Sequence, residues 1–318
     1  MHRDHTACSL SRGASLALLL MSLLLAAGTH ARAGAGATGL AFMKLGTSAR
    51  GVAMGDAMTG AVRGAAATFY NPAGLRAGTS SGRSSDLLFM HKEWIQDTRT
   101  EFLAARMNLG GPHSLGVSVL TSAVPDIEIR TRPGESQGTF SSRDLALGLS
   151  YCYEIEPGLR AGFTARYLYE QILVDDAQGA ALDAGVQYDN LADGLTVGAA
   201  IANMGSMSKF RSEALELPAL LRAGAAYAFD LPDLFSTTVL AADVEHVFAE
   251  SQLLARIGGE WGFKNTFFLR SGYQFGSTGR GLSLGGGIQY GVFGVDYAFS
   301  RLADDLGNGH TIAVRVEF

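Results

Sequence analysis

The side chains of this chain that could do chemistry are mainly carboxylates and histidines, and their spacing argues against a metal site. His91 lies close to Glu93, and Glu245 precedes His246. Neither pair has a third ligand at a spacing typical of zinc sites. In an extended strand, Glu245 and His246 would also point to opposite faces. We therefore expect no metal ligands.

Other candidate sites favour structural roles in the same way. The acidic pairs Asp175–Asp176 and Asp304–Asp305 are typical of solvated loops, although they could also hold divalent cations beside lipopolysaccharide. The run Gly285–Gly287 lacks the Lys-Ser/Thr that follows in a phosphate-binding loop, and no Gly-x-Ser-x-Gly motif occurs. The sequence thus indicates a non-enzymatic protein without catalytic residues or cofactors.

The composition excludes several classes of protein. The chain has 318 residues, with 41 glycines, only 17% charged residues and a formal net charge of −5. This charge disfavours a nucleic-acid-binding protein, which would have a basic surface. The mean hydropathy is slightly positive. However, no apolar run beyond residue 33 approaches the length that a spanning helix needs.

The N-terminus is typical of a secretory signal peptide. Arg3 and Arg12 precede an apolar stretch at Ala14–Ala27, and Ala31-Arg32-Ala33 fits a small-x-small cleavage site. We therefore predict that residues 1–33 are removed. A membrane-anchor helix is the alternative, but this stretch is short for one. Only Cys152 would then remain, which excludes an internal disulfide.

The last residues of the chain carry the strongest indication of fold. Side chains alternate between the two faces of a strand. Apolar residues occupy one face here and polar residues the other, and the chain ends on an aromatic residue. The apolar face comprises Ile312, Val314, Val316 and Phe318. This alternation is typical of a transmembrane antiparallel β-barrel, with lipid outside and a polar lumen inside.

The same alternation recurs from residue 84 onward and predicts about fourteen strands in a barrel over residues 84–318. The predicted strands are 85–93, 98–109, 113–125, 142–155, 158–174, 179–189, 193–203, 217–229, 236–248, 251–263, 266–276, 280–290, 292–301 and 309–318. Segment 98–109 fits least well, because Phe102 and Arg106 would share a face.

Charges on the strands lie opposite the apolar series. An arginine facing lipid near the bilayer centre costs about 2–4 kcal/mol, so we assign these charges to the lumen. The predicted luminal charges are Arg160, Arg166, Arg256, Glu260, Arg270 and Arg315. We expect scattered carboxylates to form ion pairs with the arginines; they are Asp144, Glu154, Asp183, Asp243, Glu260 and Asp296.

The connections predict an orientation. An even strand number places both ends of the barrel in the periplasm, with short turns there and longer loops outside. Two long connections, Asp126–Ser141 and Met204–Glu216, would then face outward, and we interpret them as candidate binding surfaces.

Residues 34–83 lack sustained alternation, so we predict a small helical and turn-rich hatch in the lumen. The segment has a Gly-x-x-Ala-Arg start, an Ala-Met-Gly-Asp-Ala core and an Asn-Pro-Ala-Gly-Leu end. It resembles the opening signature of the PorV/PorQ family, within the FadL-like barrels. Asp56 replaces the usual second glycine of that signature. The matching residues are Gly46, Ala49, Arg50, Met54, Gly55, Asn71, Pro72, Ala73 and Gly74.

The resemblance implies a monomeric, fourteen-stranded, plugged barrel in the outer membrane of a Gram-negative-type bacterium. It implies a role in protein export or surface display, as in type IX secretion, with secreted proteins as cargo. Uptake of hydrophobic small molecules, as in other FadL-like barrels, is the alternative. Outer-membrane lipid and lipopolysaccharide are the expected surroundings. The residues ending at Phe318 resemble the C-terminal signal that barrel-assembly machinery recognises. The Asn71–Gly74 turn would shape or gate the hatch.

Overall fold

The computed structural model describes residues 38–76, 83–209, 215–277, 279–303 and 306–318. The predicted signal peptide and the Asp304–Asp305 pair lie outside these residues.

Fourteen antiparallel strands form one closed barrel, in which each strand pairs with its neighbours in the sequence and β14 pairs with β1. The strands are β1 Ser85–Glu93, β2 Arg99–Asn108, β3 His113–Glu128, β4 Thr139–Glu156, β5 Leu159–Ile172, β6 Asp175–Ala192, β7 Leu195–Met207, β8 Leu220–Leu231, β9 Ser236–Val247, β10 Gln252–Phe263, β11 Phe267–Phe275, β12 Arg280–Tyr290, β13 Phe293–Leu302 and β14 Asn308–Glu317. The predicted fold is confirmed.

The predicted limits of the two longest loops are wrong. Pairing of β3 with β4 continues through Ile127 and Phe140, so only 129–138 connects these strands. Similarly, β7 extends to Met207 and pairs with Gly179 of β6. Polar residues such as Asp126 and Ser141 made these stretches read as loops. They are the solvent-facing residues of strands that continue outward, where the outer face no longer needs to be apolar.

The exterior of the barrel is apolar where the interior is polar. In β4, Leu147 and Leu149 are 40% and 57% exposed, whereas the alternating Gly148 and Ser150 are buried. The same contrast recurs around the wall. Such a continuous exposed apolar surface needs lipid around it. The closed sheet and its apolar exterior therefore place the protein in the outer membrane.

Strand β2 shows why Phe102 and Arg106 share a face. Both side chains point into the lumen and are buried. Phe102 packs edge-on against Phe69 of the hatch at 6.4 Å between ring centroids, and Arg106 forms an ion pair with Asp86. An apolar luminal residue is compatible with a plugged barrel, because the plug supplies an apolar partner.

The hatch is built from short helical segments inside the barrel. They are the 3₁₀ turn Ala41–Lys44, helix α1 Ala49–Ala53, the 3₁₀ turn Gly64–Ala66, helix α2 Ala67–Tyr70 and the 3₁₀ turn Pro72–Leu75; further 3₁₀ turns, Ile95–Asp97 and Pro232–Leu234, lie in connections. Among the described residues, no helix is long and apolar enough to cross a membrane.

The hatch runs along the lumen from one rim to the other. At its outer end, the Gly39 amide donates a hydrogen bond to the Glu216 carbonyl, and Lys44 forms an ion pair with Glu250. These partners lie in connections that face outward. At its inner end, Arg76 lies 3.3 Å from Glu154, near the periplasmic end of β4.

We predict that Leu149→Arg destabilises the barrel by about 2–4 kcal/mol, because it places a charge on the lipid-facing band. Urea unfolding in phospholipid vesicles measures this free energy. Leu173→Arg is the matched control, since Leu173 is also exposed but lies in the outer β5–β6 connection. Equal stability of the two variants would contradict the assignment of the band.

Candidate functional site

The hatch is joined to the wall by a chain of buried ion pairs. The Arg50 guanidinium of α1 donates two hydrogen bonds, of 2.8 and 2.9 Å, to the Glu260 carboxylate of β10. Arg270 of β11 donates to Glu260 at 2.5 Å and to Asp296 of β13 at 2.6 Å. Two arginines and two carboxylates thereby balance their charges, and only Arg50 keeps partial contact with solvent.

A second charge group lies beneath helix α2. Glu245 of β9 accepts hydrogen bonds from Arg222 of β8 and Arg256 of β10, at 2.5 to 2.8 Å. Arg222 also donates to the Tyr70 carbonyl at 3.4 Å. These three side chains of neighbouring strands thus hold one another in place, and Arg222 contacts the C-terminal end of helix α2.

Two further arginines make fixed contacts. Arg166 joins the wall to the hatch, and Arg160 joins two neighbouring strands of the wall. Arg166 donates to Asp183 at 2.6 Å and to the Thr68 carbonyl of the hatch at 2.7 Å. Arg160 forms a bidentate pair with Asp189, at 2.6 and 2.7 Å. Both guanidinium groups are therefore fixed by acceptors on adjacent elements.

Arg315 is the most exposed of the predicted luminal charges, with 26% of its side chain accessible. It lies 3.1 Å from Glu317 and donates to Gln289 at 2.9 Å. The structure therefore places all six predicted luminal charges inside the barrel.

Asp56 occupies a backbone position that suits glycine. Gly55 and Asp56 have φ values of 64° and 61°. The left-handed region is costly for residues with a side chain, although Asp tolerates it better than most. Here the carboxylate compensates by accepting hydrogen bonds from the Tyr70 hydroxyl at 2.7 Å and from Arg280 at 2.8 Å. The departure from the family signature therefore adds a hatch-to-wall ion pair.

Electrostatics at Asp56 favour the charged carboxylate. Burial acts to raise its pKa, but the nearby cations, led by Arg280, and the hydrogen bond from Tyr70 hold the pKa below its ordinary value of 3.8. Burial and the Asp56 carboxylate raise the pKa of Tyr70 well above its usual range. Tyr70 is thus a fixed donor at physiological pH.

Asn71 fastens the Asn-Pro-Ala-Gly turn to the wall. Its buried amide donates to the Thr59 carbonyl at 3.0 Å and to the Val186 carbonyl of β6 at 3.1 Å. Its carbonyl accepts from the Ala73 amide at 3.2 Å, which caps the turn Pro72–Leu75. The side chain therefore bridges two hatch segments and the wall.

A belt of luminal glycines lets the hatch backbone touch the wall. A methyl group at Gly272 would collide with Met54 and Gly55, and one at Gly258 would lie 2.8 Å from Met54 Cβ. The same holds at Gly285, where Ala53 would be 2.5 Å away. The other members of the belt are Gly116, Gly162, Gly185 and Gly198. Glycine at these positions sets how closely the hatch fits.

The outer half of the lumen is filled by apolar side chains. Leu40, Phe42 and Met43 of the hatch are almost fully buried. They belong to one cluster with the hatch residue Phe69 and wall residues that include Met90, Phe102, Leu120, Ala146 and Leu168. Below it, a cavity of about 40 Å³ lies between α1 and β13–β14, beside Arg50 and Ala49. That volume is enough for at least one water molecule.

The scattered carboxylates differ in their partners. Asp183, Glu260 and Asp296 pair with arginines, and Glu154 lies beside Arg76. Asp243 instead accepts hydrogen bonds from the Thr59 amide and hydroxyl at 2.8 and 2.7 Å. No arginine of the described residues pairs with Asp144.

The candidate metal ligands contact nearby side chains and are not gathered around a common point. His91 lies 3.3 Å from Glu101 and 3.9 Å from Glu93. Glu245 faces the lumen, whereas His246 stacks edge-on against Phe248. Within the described ranges, no three or more His, Cys, Asp or Glu residues are arranged to hold a metal ion.

Some of these residues were not apparent from the sequence. The residue types marked Glu245 only as a candidate metal ligand, and no sequence pattern indicated that the belt glycines contact the hatch. Their luminal position follows from strand parity, which could have identified them. Their partners in the hatch follow only from the tertiary structure.

Solved structures with the same architecture are outer-membrane channels. The toluene transporter TodX of Pseudomonas putida matches with a TM-score of 0.61 at 14% identity, covering 85% of this chain and 97% of TodX. A TodX mutant described as a monoaromatic hydrocarbon channel gives 0.63 at 16% identity, covering 86% and 99%. The chain has the fold of these channels.

A FadL homologue of Pseudomonas aeruginosa has the same fold, with a TM-score of 0.52 at 12% identity and coverage of 86% of this chain and 98% of that one. These likenesses establish a FadL-like barrel fold. No protein-family model and no curated protein sequence matches the chain.

We predict that Gly258→Ala displaces the hatch, because the added methyl group meets the backbone and side chain of Met54. Gly259→Ala is the matched control, since its nearest neighbour would be Leu240 at an ordinary 3.7 Å. The first variant should admit small hydrophilic solutes and expose the hatch to protease, whereas the second should behave as wild type. Vesicle swelling and limited proteolysis measure both effects. Equal behaviour would contradict the proposed fit.

We predict that Asp56→Asn weakens the hatch by about 1–3 kcal/mol at neutral pH, because Arg280 loses its charged partner. The folded pKa of Asp56 is lowered, so its stabilisation is complete above the ordinary value of 3.8 and is lost as pH falls through the folded pKa. The difference between wild type and variant should therefore shrink below about pH 4. Urea-dependent protease sensitivity of the hatch, measured from pH 7 to pH 2, tests this; a constant difference would contradict it.

Proposed function

We propose that this protein is a passive conduit for hydrophobic small molecules across the outer membrane. The observation that carries the proposal is an apolar outer lumen in a barrel whose fold matches hydrocarbon channels. Leu168, Leu120 and Phe102 of the wall belong to one buried apolar cluster with the hatch residues Leu40 and Phe42. A molecule that displaces the outer hatch would therefore meet apolar side chains.

The luminal charges agree with this role. A barrel that conducts hydrophilic solutes has a polar, water-filled interior. Here the wall arginines that surround the hatch, such as Arg270 and Arg222, are paired with carboxylates on adjacent strands. They fix the hatch rather than line an open aqueous path.

The first described residues of the hatch, Thr38 and Gly39, can move at least cost, because the buried contacts begin only with Leu40. They are held by the Gly39–Glu216 backbone hydrogen bond and by the hydrogen bond of Thr38 to Glu250, which also contacts Lys44. The inner part is held by buried ion pairs and by the glycine belt. Local opening begins where buried contacts are few, so we infer that entry from outside displaces residues near Gly39 first.

Among the described residues, the sheet is incompletely paired at the outer end of β7. Pairing of β7 with β8 stops at Ala202 and Leu220, whereas pairing with β6 continues to Met207. The interruption has a local cause: Asn203, at φ 60°, forms a bulge and donates its amide to Asp183 at 2.8 Å. An unpaired edge is tolerated in a membrane only where other atoms cover it. We propose this edge as the lateral route to the outer leaflet.

The resemblance of the hatch segment to the PorV/PorQ signature implies a role in protein export. The solved structures of the same fold favour passage of hydrophobic molecules instead, and no feature of the described residues favours export. The hatch signature is compatible with either role, because its residues hold the hatch against the wall.

We predict that cells carrying the protein take up toluene several-fold faster than matched cells without it, because the barrel bypasses the lipopolysaccharide barrier. Uptake of radiolabelled toluene at sub-saturating concentration measures this, with uptake of a hydrophilic sugar as the internal control. Equal toluene uptake in the two strains would contradict the proposed function.

A reversible cross-link tests whether the hatch moves. A methyl group at Gly39 would lie 3.4 Å from Leu215 Cβ, close to the spacing of about 3.5–4.5 Å found in disulfides. The double variant Gly39→Cys/Leu215→Cys should lose toluene uptake when oxidised and recover it on reduction. Cys152 is buried and is present in both the oxidised and the reduced sample, so it does not account for a difference between them. Undiminished uptake in the oxidised form would contradict movement of this end.

A further inference from the structure

Two inward-facing carboxylates oppose each other in the outer lumen, and no cationic side chain of the described residues pairs with them. Asp144 of β4 pairs in register with Glu170 of β5, and both side chains point inward. At such directly opposed positions the Cβ atoms are about 4.5–5.5 Å apart. Glu170 is 9% exposed. One oxygen of each carboxylate is buried and has no hydrogen-bond partner.

Within the described ranges, the neighbouring luminal side chains supply no cation. The register row that contains the pair continues to Ser122 of β3 and Ala177 of β6. Along their own strands, the flanking luminal residues are Ser142, Ala146, Leu168 and Ile172. The hatch approaches here with Gly39, where a methyl group would lie 3.6 Å from the Glu170 carboxylate.

Arg143, next to Asp144 in β4, is exposed on the opposite face of the strand, and the nearest inward-facing cations that the structure describes are bound to other groups. Arg166, two rows closer to the inner hatch, is held by Asp183 and the Thr68 carbonyl. Lys44 of the outer hatch is held by Glu250. The acid pair therefore differs from every arginine-bound carboxylate described above. Like charges brought together in an apolar site disfavour one another and favour a cation or proton between them.

The surroundings favour a ligand that is partly apolar. On the inner side, the next row is closed by Leu168, Leu120 and Ala146, which are at most 1% exposed. On the outer side, Ile172 and Val124 are half-buried. An entering molecule could place a cationic group on the carboxylates and an apolar group against these side chains.

Given the proposed function, we propose that Asp144 and Glu170 form a binding site for the ammonium group of hydrophobic amines in the transport path. The paired carboxylates would accept hydrogen bonds from the ammonium, as acceptor-only groups do when ionised. The outer apolar residues would contact the hydrocarbon part. The protein would therefore select amphiphilic cations over neutral and anionic molecules of the same shape.

The test compares three probes of similar shape that differ in charge: 2-phenylethylammonium, 2-phenylethanol and phenylacetate. Their affinities for the purified full-length barrel in detergent are measured by calorimetry at neutral pH. We expect wild type to bind the ammonium at least about tenfold more tightly than the alcohol, and phenylacetate least tightly. Asp144→Asn/Glu170→Gln should bring the ammonium and the alcohol to equal affinity.

Two variants distinguish the site from general charge and from misfolding. Asp126→Asn/Asp176→Asn removes two exposed carboxylates and should keep the preference. Ser122→Lys keeps both acids but adds a cation beside Asp144, and it should abolish the preference. Heat-modifiable migration on gels checks that each variant is folded.

Several results would overturn the inference: no ammonium preference in wild type, its retention in Asp144→Asn/Glu170→Gln or in Ser122→Lys, or its loss in the exposed control. Toluene uptake separates this inference from the proposed function. If wild type takes up toluene without preferring the ammonium, the site is wrong and the conduit stands. If toluene uptake is absent, the conduit itself fails.

Discussion

Closure of the sheet between β14 and β1 is the constraint from which the other features follow. Inside a bilayer, a strand has no water to satisfy its backbone, so every edge must find a partner. The register from Asp86–Glu317 to Glu93–His310 supplies it, and Phe318 completes it by exchanging backbone hydrogen bonds with Ser85. Once the sheet closes, half of the side chains on each strand face a lumen that must be filled or hydrated.

This protein fills much of that lumen with its own N-terminal segment. Removing charges from water is costly, and ion pairs repay the cost only when their geometry is good and each partner is matched. The Arg50–Glu260–Arg270–Asp296 chain meets this condition. Such pairs contribute less to net stability than to a unique position for the hatch. Glycines on the wall also help to fix the position of the hatch, because they let its backbone approach closely at defined points. The acid pair at Asp144 and Glu170 has no such match among the described residues, and for that reason it stands out as a binding feature.

The parts of the structure that follow from period-two alternation could be predicted from the sequence. All fourteen strands lie where the alternation placed them, because lipid and lumen impose opposite demands on successive residues. The outer limits of β3, β4 and β7 could not, because beyond the membrane the outward face is polar. The alternation did not explain why Phe102 shares a face with Arg106, because its partner Phe69 lies in the hatch. Partners such as Gly272 with Gly55 depend on chain segments far apart in the sequence. Which molecule passes the barrel was likewise undetermined, because the motif records how the hatch is held.

The position of the hatch in the chain has a consequence for biogenesis. Thr38–Arg76 precede every strand, yet the finished wall encloses them, and they contact strands from β1 to β14. To enter a closed ring afterwards, this segment would have to pass along the barrel axis against the luminal side chains that now enclose it. If the hatch is inside before the last strand meets the first, it serves as a template around which the barrel forms. Its packing quality would then set the yield of assembled protein as well as the tightness of the finished pore.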